Sequence, residues 1–127
     1  MVIALTTGQT TTVVLESDAQ LDPNDQTLWE LAPLSVAQRQ EVMRLAGDGD
    51  QVAACILATR ASLRGWRQLR DATGAEVGYK RKQQIVGGTA GVYITAEALD
   101  VIPLDVIAEL GARACELSGL GDSDKGK

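Results

Sequence analysis

The stretch that most constrains this chain is Gln51 to Gly74, QVAACILATRASLRGWRQLRDATG. Its apolar positions Val52, Cys55, Ile56, Thr59, Leu63 and Trp66 recur at steps of three and four, the spacing of one buried helix face. Arg60, Arg64, Arg67 and Arg70 recur at steps of four, three and three on the other side. The pattern predicts one helix over 51–70, with a core inside and a basic stripe outside. Gly65, beside Trp66, is where such a helix kinks or ends, and Asp71-Ala72-Thr73-Gly74 reads as a turn.

A chain of 127 residues is expected to form one domain. It has no Phe, and its aromatic set is Trp29, Trp66, Tyr79 and Tyr93. The core must therefore come from Leu, Val, Ile and Ala, with Trp29 and Trp66 as large anchors. Charge is unevenly placed within a net −5. Residues 1–59 carry two basic and eight acidic groups, net −6. Residues 60–82 carry seven basic and two acidic groups, net +5, and residues 83–127 three basic and seven acidic, net −4. A basic middle between acidic flanks suggests internal pairing or charge-matched subunit contacts; the alternative is a solvated basic face. The net negative charge argues against a nucleic-acid binder, which needs a clustered positive field. Cys55 and Cys115 fall on apolar helix faces and read as buried, reduced thiols rather than a disulfide. No run reaches the roughly 18 apolar residues of a membrane span. The opening MVIALTTGQ lacks the basic and long apolar regions of a signal peptide, so a cytoplasmic setting is expected.

In chain order, Val2–Leu5 and Thr10–Leu15 are β-type runs split by Thr7-Gly8-Gln9. They form a hairpin, or an extended arm followed by a strand. Glu16 to Gln26 is a polar surface loop, and Thr27 to Leu31 alternates as a half-buried strand that Pro33 ends. Ser35-Val36-Ala37-Gln38 is a capping box opening a helix to about Ala46, with Val36, Val42, Met43 and Ala46 facing in. Asp50 is the expected N-cap of the central helix. Glu76 to Val86 has β character interrupted by Lys80-Arg81-Lys82, as a hairpin or a mobile loop tip. Gly87 to Gly91 is a flexible connector and Val92-Tyr93-Ile94 a short strand or extended segment. Thr95 caps a short helix, Pro103 suits the first turn of the last one, and Leu104, Ile107, Leu110, Ala114 and Leu117 form its stripe up to Gly119. The expected fold is α+β, one domain over 1–120. Short antiparallel strands pack with three main helices near 36–46, 51–70 and 103–118. Residues 1–15 include an arm or hairpin, and 121–127 read as a flexible tail.

Candidate chemistry is sparse. With no His, the usual base and commonest metal ligand are missing. Asp48-Gly49-Asp50 lacks the further acids and closing Glu of a calcium loop. Gly87-Gly88-Thr89-Ala90-Gly91 lacks the Lys and Ser/Thr of a phosphate loop. Cys55 and Cys115 sit among aliphatics, where a thiol is inert. Asp100, Asp105 and Glu109 read as solvated helix-surface carboxylates. Arg60, Arg64 and Arg67 could clamp a phosphate or face a partner. The sequence reads as non-enzymatic, with no catalytic residue, metal or cofactor expected.

Several features together resemble small proteins encoded among the virion morphogenesis genes of tailed phages. They are Leu15-Glu16-Ser17-Asp18 through Gln26-Thr27-Leu28-Trp29-Glu30-Leu31, and Leu31-Ala32-Pro33-Leu34-Ser35 leading into a helix. They also include Leu63-Arg64-Gly65-Trp66 followed by Leu69-Arg70-Asp71-Ala72-Thr73-Gly74, and Ile107-Ala108-Glu109-Leu110-Gly111 to Leu117-Ser118-Gly119-Leu120. Proteins of this size in such gene sets are tail assembly chaperones or head, neck and tail components. The resemblance implies a bacteriophage protein that acts through protein–protein contacts with other phage structural proteins and with copies of itself. It would reside in the virion or in the host cytoplasm during assembly. The family offers no catalytic residues to carry over, and Lys80-Arg81-Lys82 and Gly87 to Gly91 depart from its pattern. The contact residues expected from the charge pattern are Arg60, Arg64, Arg67, Arg70, Lys80, Arg81 and Lys82. Arg60, Arg64 and Arg67 are expected to meet an acidic surface of a neighbouring subunit around Asp18 to Asp25. The alternative function is a phage-encoded regulator that binds nucleic acid through the basic 60–82 segment.

Overall fold

The helix starts obey local chemistry. The computed structural model describes Val2 and residues 9–119. Helix α1 runs Val36–Gly47 behind a complete capping box: Ser35 Oγ accepts from Gln38 N–H at 3.2 Å and Gln38 Oε1 accepts from Ser35 N–H at 2.8 Å. Asp50 caps α2 (Gln51–Ser62) through Ala53 N–H at 3.1 Å. Thr95 caps α3 (Ala96–Leu99) through Ala98 N–H at 3.1 Å. Helix α4 (Leu104–Leu117) begins directly after Pro103, and Gly119 follows it with φ +80, the left-handed conformation that closes helices.

The central helix is shorter than its periodicity predicts. It stops at Ser62, and Leu63–Arg67 form a strand, β3. Tertiary partners capture the chain at this point. Ser62 Oγ donates to Ala32 O at 2.6 Å, and Ala32 N–H donates to Ser62 O at 2.9 Å. Strand β2 (Leu28–Leu31) then pairs with β3, placing Trp29 opposite Trp66 and Glu30 opposite Gly65. Strand β1 (Thr11–Val13) pairs on the other side of β2, so the antiparallel sheet has the order β1-β2-β3. Trp66 is buried, but by strand pairing, not by a helical stripe shared with Ile56 and Leu63. Its ring meets Trp29 edge-on at 5.8 Å and Tyr79 at 5.1 Å, and its Nε1–H donates to Val77 O at 2.7 Å.

Strands β4 (Arg81–Val86) and β5 (Thr89–Ile94) form a second, two-stranded antiparallel sheet. The fold is therefore α+β, with four α-helices and two small antiparallel sheets among the described residues. Lys80-Arg81-Lys82 is thus the entry to a strand and not a loop tip. Only Gly87 and Gly88 of the expected connector are a turn; their φ values of +60 and +81 suit the two-residue hairpin loops that glycine permits. The expected turn at Asp71 is present. Asp71 Oδ1 accepts from Thr73 N–H, Thr73 Oγ1–H and Ala75 N–H, which holds its carboxyl below the ordinary range, the Thr73 hydroxyl most of all.

Two apolar clusters flank α2. One joins Trp29, Leu31, Leu63 and Trp66 to Ile94, Leu99, Ile107 and Leu110. The other joins Leu34, Val42, Ala54, Ala58 and Ala61 to Val86, Tyr93 and Ala114. A helix covered on two sides needs small side chains, which explains Ala54, Ala58, Thr59, Ala61 and Ser62 as its buried set. Thr59 Oγ1–H donates to Ile107 O at 3.0 Å, and Gly111 packs directly on the backbone of Cys55. Val52 of the expected apolar face is exposed, as is Leu104 of the α4 stripe. On α1, Val42 is buried beside Gln38, whereas Val36 and Met43 are 62% and 61% exposed and do not face in. Glu16 to Gln26 is surface chain built on two short 3-10 turns, Glu16–Asp18 and Pro23–Asp25. The expected pairing of Val2–Leu5 and the 121–127 tail lie outside the described residues.

Cys55 and Cys115 are free and half-buried, not fully buried as their helix positions suggest. Burial, with smaller contributions from Cys55 and Glu116, pushes the Cys115 thiol above its ordinary value. Ellman's reagent at neutral pH is therefore expected to modify native protein more slowly than unfolded protein, in which both thiols react. Two thiols reacting as fast in the native state would contradict this placement.

Candidate functional site

The four arginines of the expected stripe part company when the helix ends at Ser62. Arg67 Nη2 lies 3.3 Å from Glu30 Oε2, and Arg70 Nη1 lies 4.0 Å from Asp25 Oδ1. Arg44 pairs with Glu41 and Asp48 along α1. These exposed pairs contribute little each, about 0–1 kcal/mol. They nevertheless account for part of the opposed charge within one chain. Asp18 is also used internally, accepting from Thr27 N–H at 2.9 Å. The acidic loop thus meets Arg70 of its own chain.

The other basic groups gather at the open end of the β4–β5 hairpin. Arg60, on the last turn of α2, donates from Nη2 to Gln84 Oε1 at 2.7 Å and to Ile94 O at 3.5 Å. Gln84 Nε2 in turn donates to Ile94 O at 2.6 Å and Tyr93 O at 3.3 Å. Arg64 reaches the same place by a backbone irregularity. Leu31 pairs with Leu63 and Glu30 with Gly65, so Arg64 is the extra residue of a β-bulge, a device that re-aims a side chain. Its guanidinium carbon sits 5.5 Å from the centroid of the Tyr93 ring, and its Nη1 donates to Ala61 O at 2.8 Å. Lys82 stands opposite Tyr93 and Arg81 opposite Ile94 in the hairpin register, and Lys80 O accepts from Thr95 N–H at 2.9 Å.

Tyr79 ties the cluster together. Its hydroxyl donates to Leu63 O at 2.9 Å. Burial pushes the phenol above its ordinary value, and the positive fields of Arg64 and Arg81 oppose the shift. Five cationic side chains, Arg60, Arg64, Lys80, Arg81 and Lys82, therefore occupy one region. Among the described residues, none of the five makes an ion pair with a carboxylate. The arrangement presents fixed positive charge and hydrogen-bond donors. Arg60 and Arg64 are half-buried and hold the hairpin to α2 and β3, so they are part of the frame. Reversing Arg60, Arg64 and Arg67 to Glu is therefore expected to disturb the fold as well as the charge, because a Glu at 60 would face Gln84 Oε1 and Ile94 O. Lys80, Arg81 and Lys82 are exposed and carry no such duty.

The sequence marks all seven basic residues but not the roles of Gln84 and Tyr93, which hold Arg60 and Arg64, or of Tyr79, which bonds Leu63 O beside them. The signal was available in the alternation of Lys82, Gln84 and Val86 on one face of a strand, opposite Tyr93.

A shallow groove of about 510 Å³ lies at the other end of the hairpin, lined by Ala37, Glu41, Leu45, Leu57, Gly87 and Gly88. A Cβ on Gly87 would come within 3.1 Å of Gln38 Cγ and 3.3 Å of Leu57 Cδ1, so this turn packs against α1 and α2 and is not a phosphate-cradling loop. Among the described residues, no three His, Cys, Asp or Glu side chains come together as metal ligands, and no helix is long and apolar enough to cross a membrane. Comparison with protein-family models, with curated proteins and with solved structures finds no match for this chain.

Proposed function

We propose that this chain is a non-enzymatic bacteriophage morphogenesis protein that works through protein–protein contacts, as a small head, neck or tail component or as a tail assembly chaperone. The motifs quoted above support the phage setting. The observation that carries the contact reading is the uncompensated cationic cluster at the open end of the β4–β5 hairpin. Its two half-buried members, Arg64 and Arg60, are fixed by a bulge, a cation–aromatic contact and the Arg60–Gln84 bond. Charge held in register sets orientation and partner choice more than raw affinity.

The same cluster keeps a second reading in view, a regulator that binds nucleic acid. Two facts weigh against it. Single-stranded nucleic acid is held largely by stacking on exposed aromatic faces. Here Tyr93 is buried under Arg64, and Tyr79 is packed against Trp66. The chain as a whole carries −5, which opposes a polyanion.

Mass spectrometry of purified virions, together with co-purification from infected cells with phage structural proteins, tests the proposal. Presence in particles, or a complex with a phage structural protein during assembly, is expected. A salt-dependent shift of DNA, with neither of those associations, would replace it by the regulator reading.

A further inference from the structure

Beside the cationic end, the β4–β5 hairpin carries aliphatic side chains that stand exposed among the described residues. Arg81, Gln83 and Ile85 alternate on one face, opposite Ile94, Val92 and Ala90. Ile94 is fully buried against the first cluster, but Ile85 is 72% and Val92 48% exposed. The face thus starts basic, at Arg81, and ends aliphatic at Ile85, four residues further along the strand and about 13 Å away.

The α3–α4 corner carries the opposite charge with the same apolar character. Val101 and Leu104 are both more than half exposed, and Glu97, Asp100 and Asp105 around them are exposed. The two surfaces are neighbours in one chain, because Thr95, two residues before Glu97, bonds Lys80 O. Among the described residues, they make no ion pair with each other. A surface that holds adjacent basic-aliphatic and acidic-aliphatic halves is self-complementary. It pairs with a copy of itself about a two-fold axis, where each half meets the other half of the partner.

We infer that the hairpin face of one copy docks on the α3–α4 corner of a second copy, and the reverse, giving an isologous homodimer. This rests on reading the basic cluster as a protein contact, and it names the partner. Ile85 and Val92 would cover Val101 and Leu104 of the partner copy, while Arg81, with the charge of Lys80 beside it at the strand entry, would face Glu97 and Asp100 across the axis. Burial of the aliphatic groups supplies affinity, and the charges supply register.

The full chain is tested by sedimentation velocity in low salt. Wild type is expected as a dimer that loosens as salt rises. Lys80→Glu/Arg81→Glu and Glu97→Lys/Asp100→Lys are each expected to sediment as monomers with unchanged circular dichroism. All four positions are exposed and none is in either core cluster. An equimolar mixture of the two variants is expected to restore a dimer, because each then offers what the other lacks. Ile85→Asp is expected to weaken the wild-type dimer at least tenfold. A monomeric wild type, a dimer that survives both charge reversals, or a mixture that stays monomeric would each overturn the inference. Those outcomes leave the morphogenesis proposal to its own test in virions, whose failure would in turn leave a dimer standing.

Discussion

Trp66→Ala is expected to lower stability by about 3–5 kcal/mol, the usual range for a buried aromatic. Trp66 loses more than area. It stands between Trp29 and Tyr79, edge-on to both, at 5.8 and 5.1 Å between centroids. Such pairs add about 0.5–1.5 kcal/mol beyond burial. Its indole also bonds Val77 O, fixing the segment that leads from β3 to the hairpin. Denaturant unfolding followed by circular dichroism measures the loss. A change below about 1 kcal/mol would mean that Trp66 is not a core residue. Two milder variants, Trp66→Phe and Trp29→Phe, separate the contributions. Trp66→Phe deletes the bond to Val77 and leaves a carbonyl short of its donor, whereas the Nε1–H of Trp29 is buried with no partner among the described residues. Trp66→Phe should therefore be the more damaging of the pair, by about 1 kcal/mol. Equal losses would argue that the Val77 bond contributes nothing.

The second large effect is at Gly111. Glycine inside a helix usually costs about 1 kcal/mol against alanine, so filling it normally helps. Gly111 is the exception because of what it faces. A Cβ there would lie 2.9 Å from Cys55 O, 3.0 Å from Cys55 Cα and 3.2 Å from Cys55 Cβ. Two of these are backbone atoms of α2, which cannot swing aside as a side chain does. The Thr59–Ile107 bond one turn away also pins the two helices together. Gly111→Val must part α2 from α4 and is expected to cost about 3 kcal/mol by overpacking. Gly47, the last residue of α1, has nothing within 4 Å of its Cβ position and an ordinary φ. Gly47→Ala should raise stability by about 0.4–1 kcal/mol through the unfolded chain. Thermal unfolding of both variants reads the contrast directly. A Gly111→Val protein as stable as wild type would show that the helices do not meet at this point.

Local chemistry was legible wherever a few adjacent residues decide the outcome. Ser35 with Gln38, Asp50, Thr95 and the Asp71 turn each bond within their own segment, so their roles follow from the order of residues alone. The α+β class and the seven basic candidates were readable for the same reason, since strand-type runs, helix stripes and charge are properties of the string. The end of α2 was not. Gln51 to Arg70 has a helical period throughout, yet the chain leaves the helix at Leu63. Ser62 and Ala32 exchange bonds there, and β2 offers a strand to pair with. Pairing Trp66 with Trp29 buries both indoles, which outweighs the weak helix preference of a segment that includes Gly65. That one decision sent Arg67 and Arg70 toward Glu30 and Asp25. It also turned Arg64 through a bulge onto Tyr93 and gathered the remaining cations at the hairpin. Residue types and their local spacing were thus set by the sequence itself. Which cations share a surface was decided only by long-range pairing, because helix and strand compete for the same residues and distant partners tip the balance.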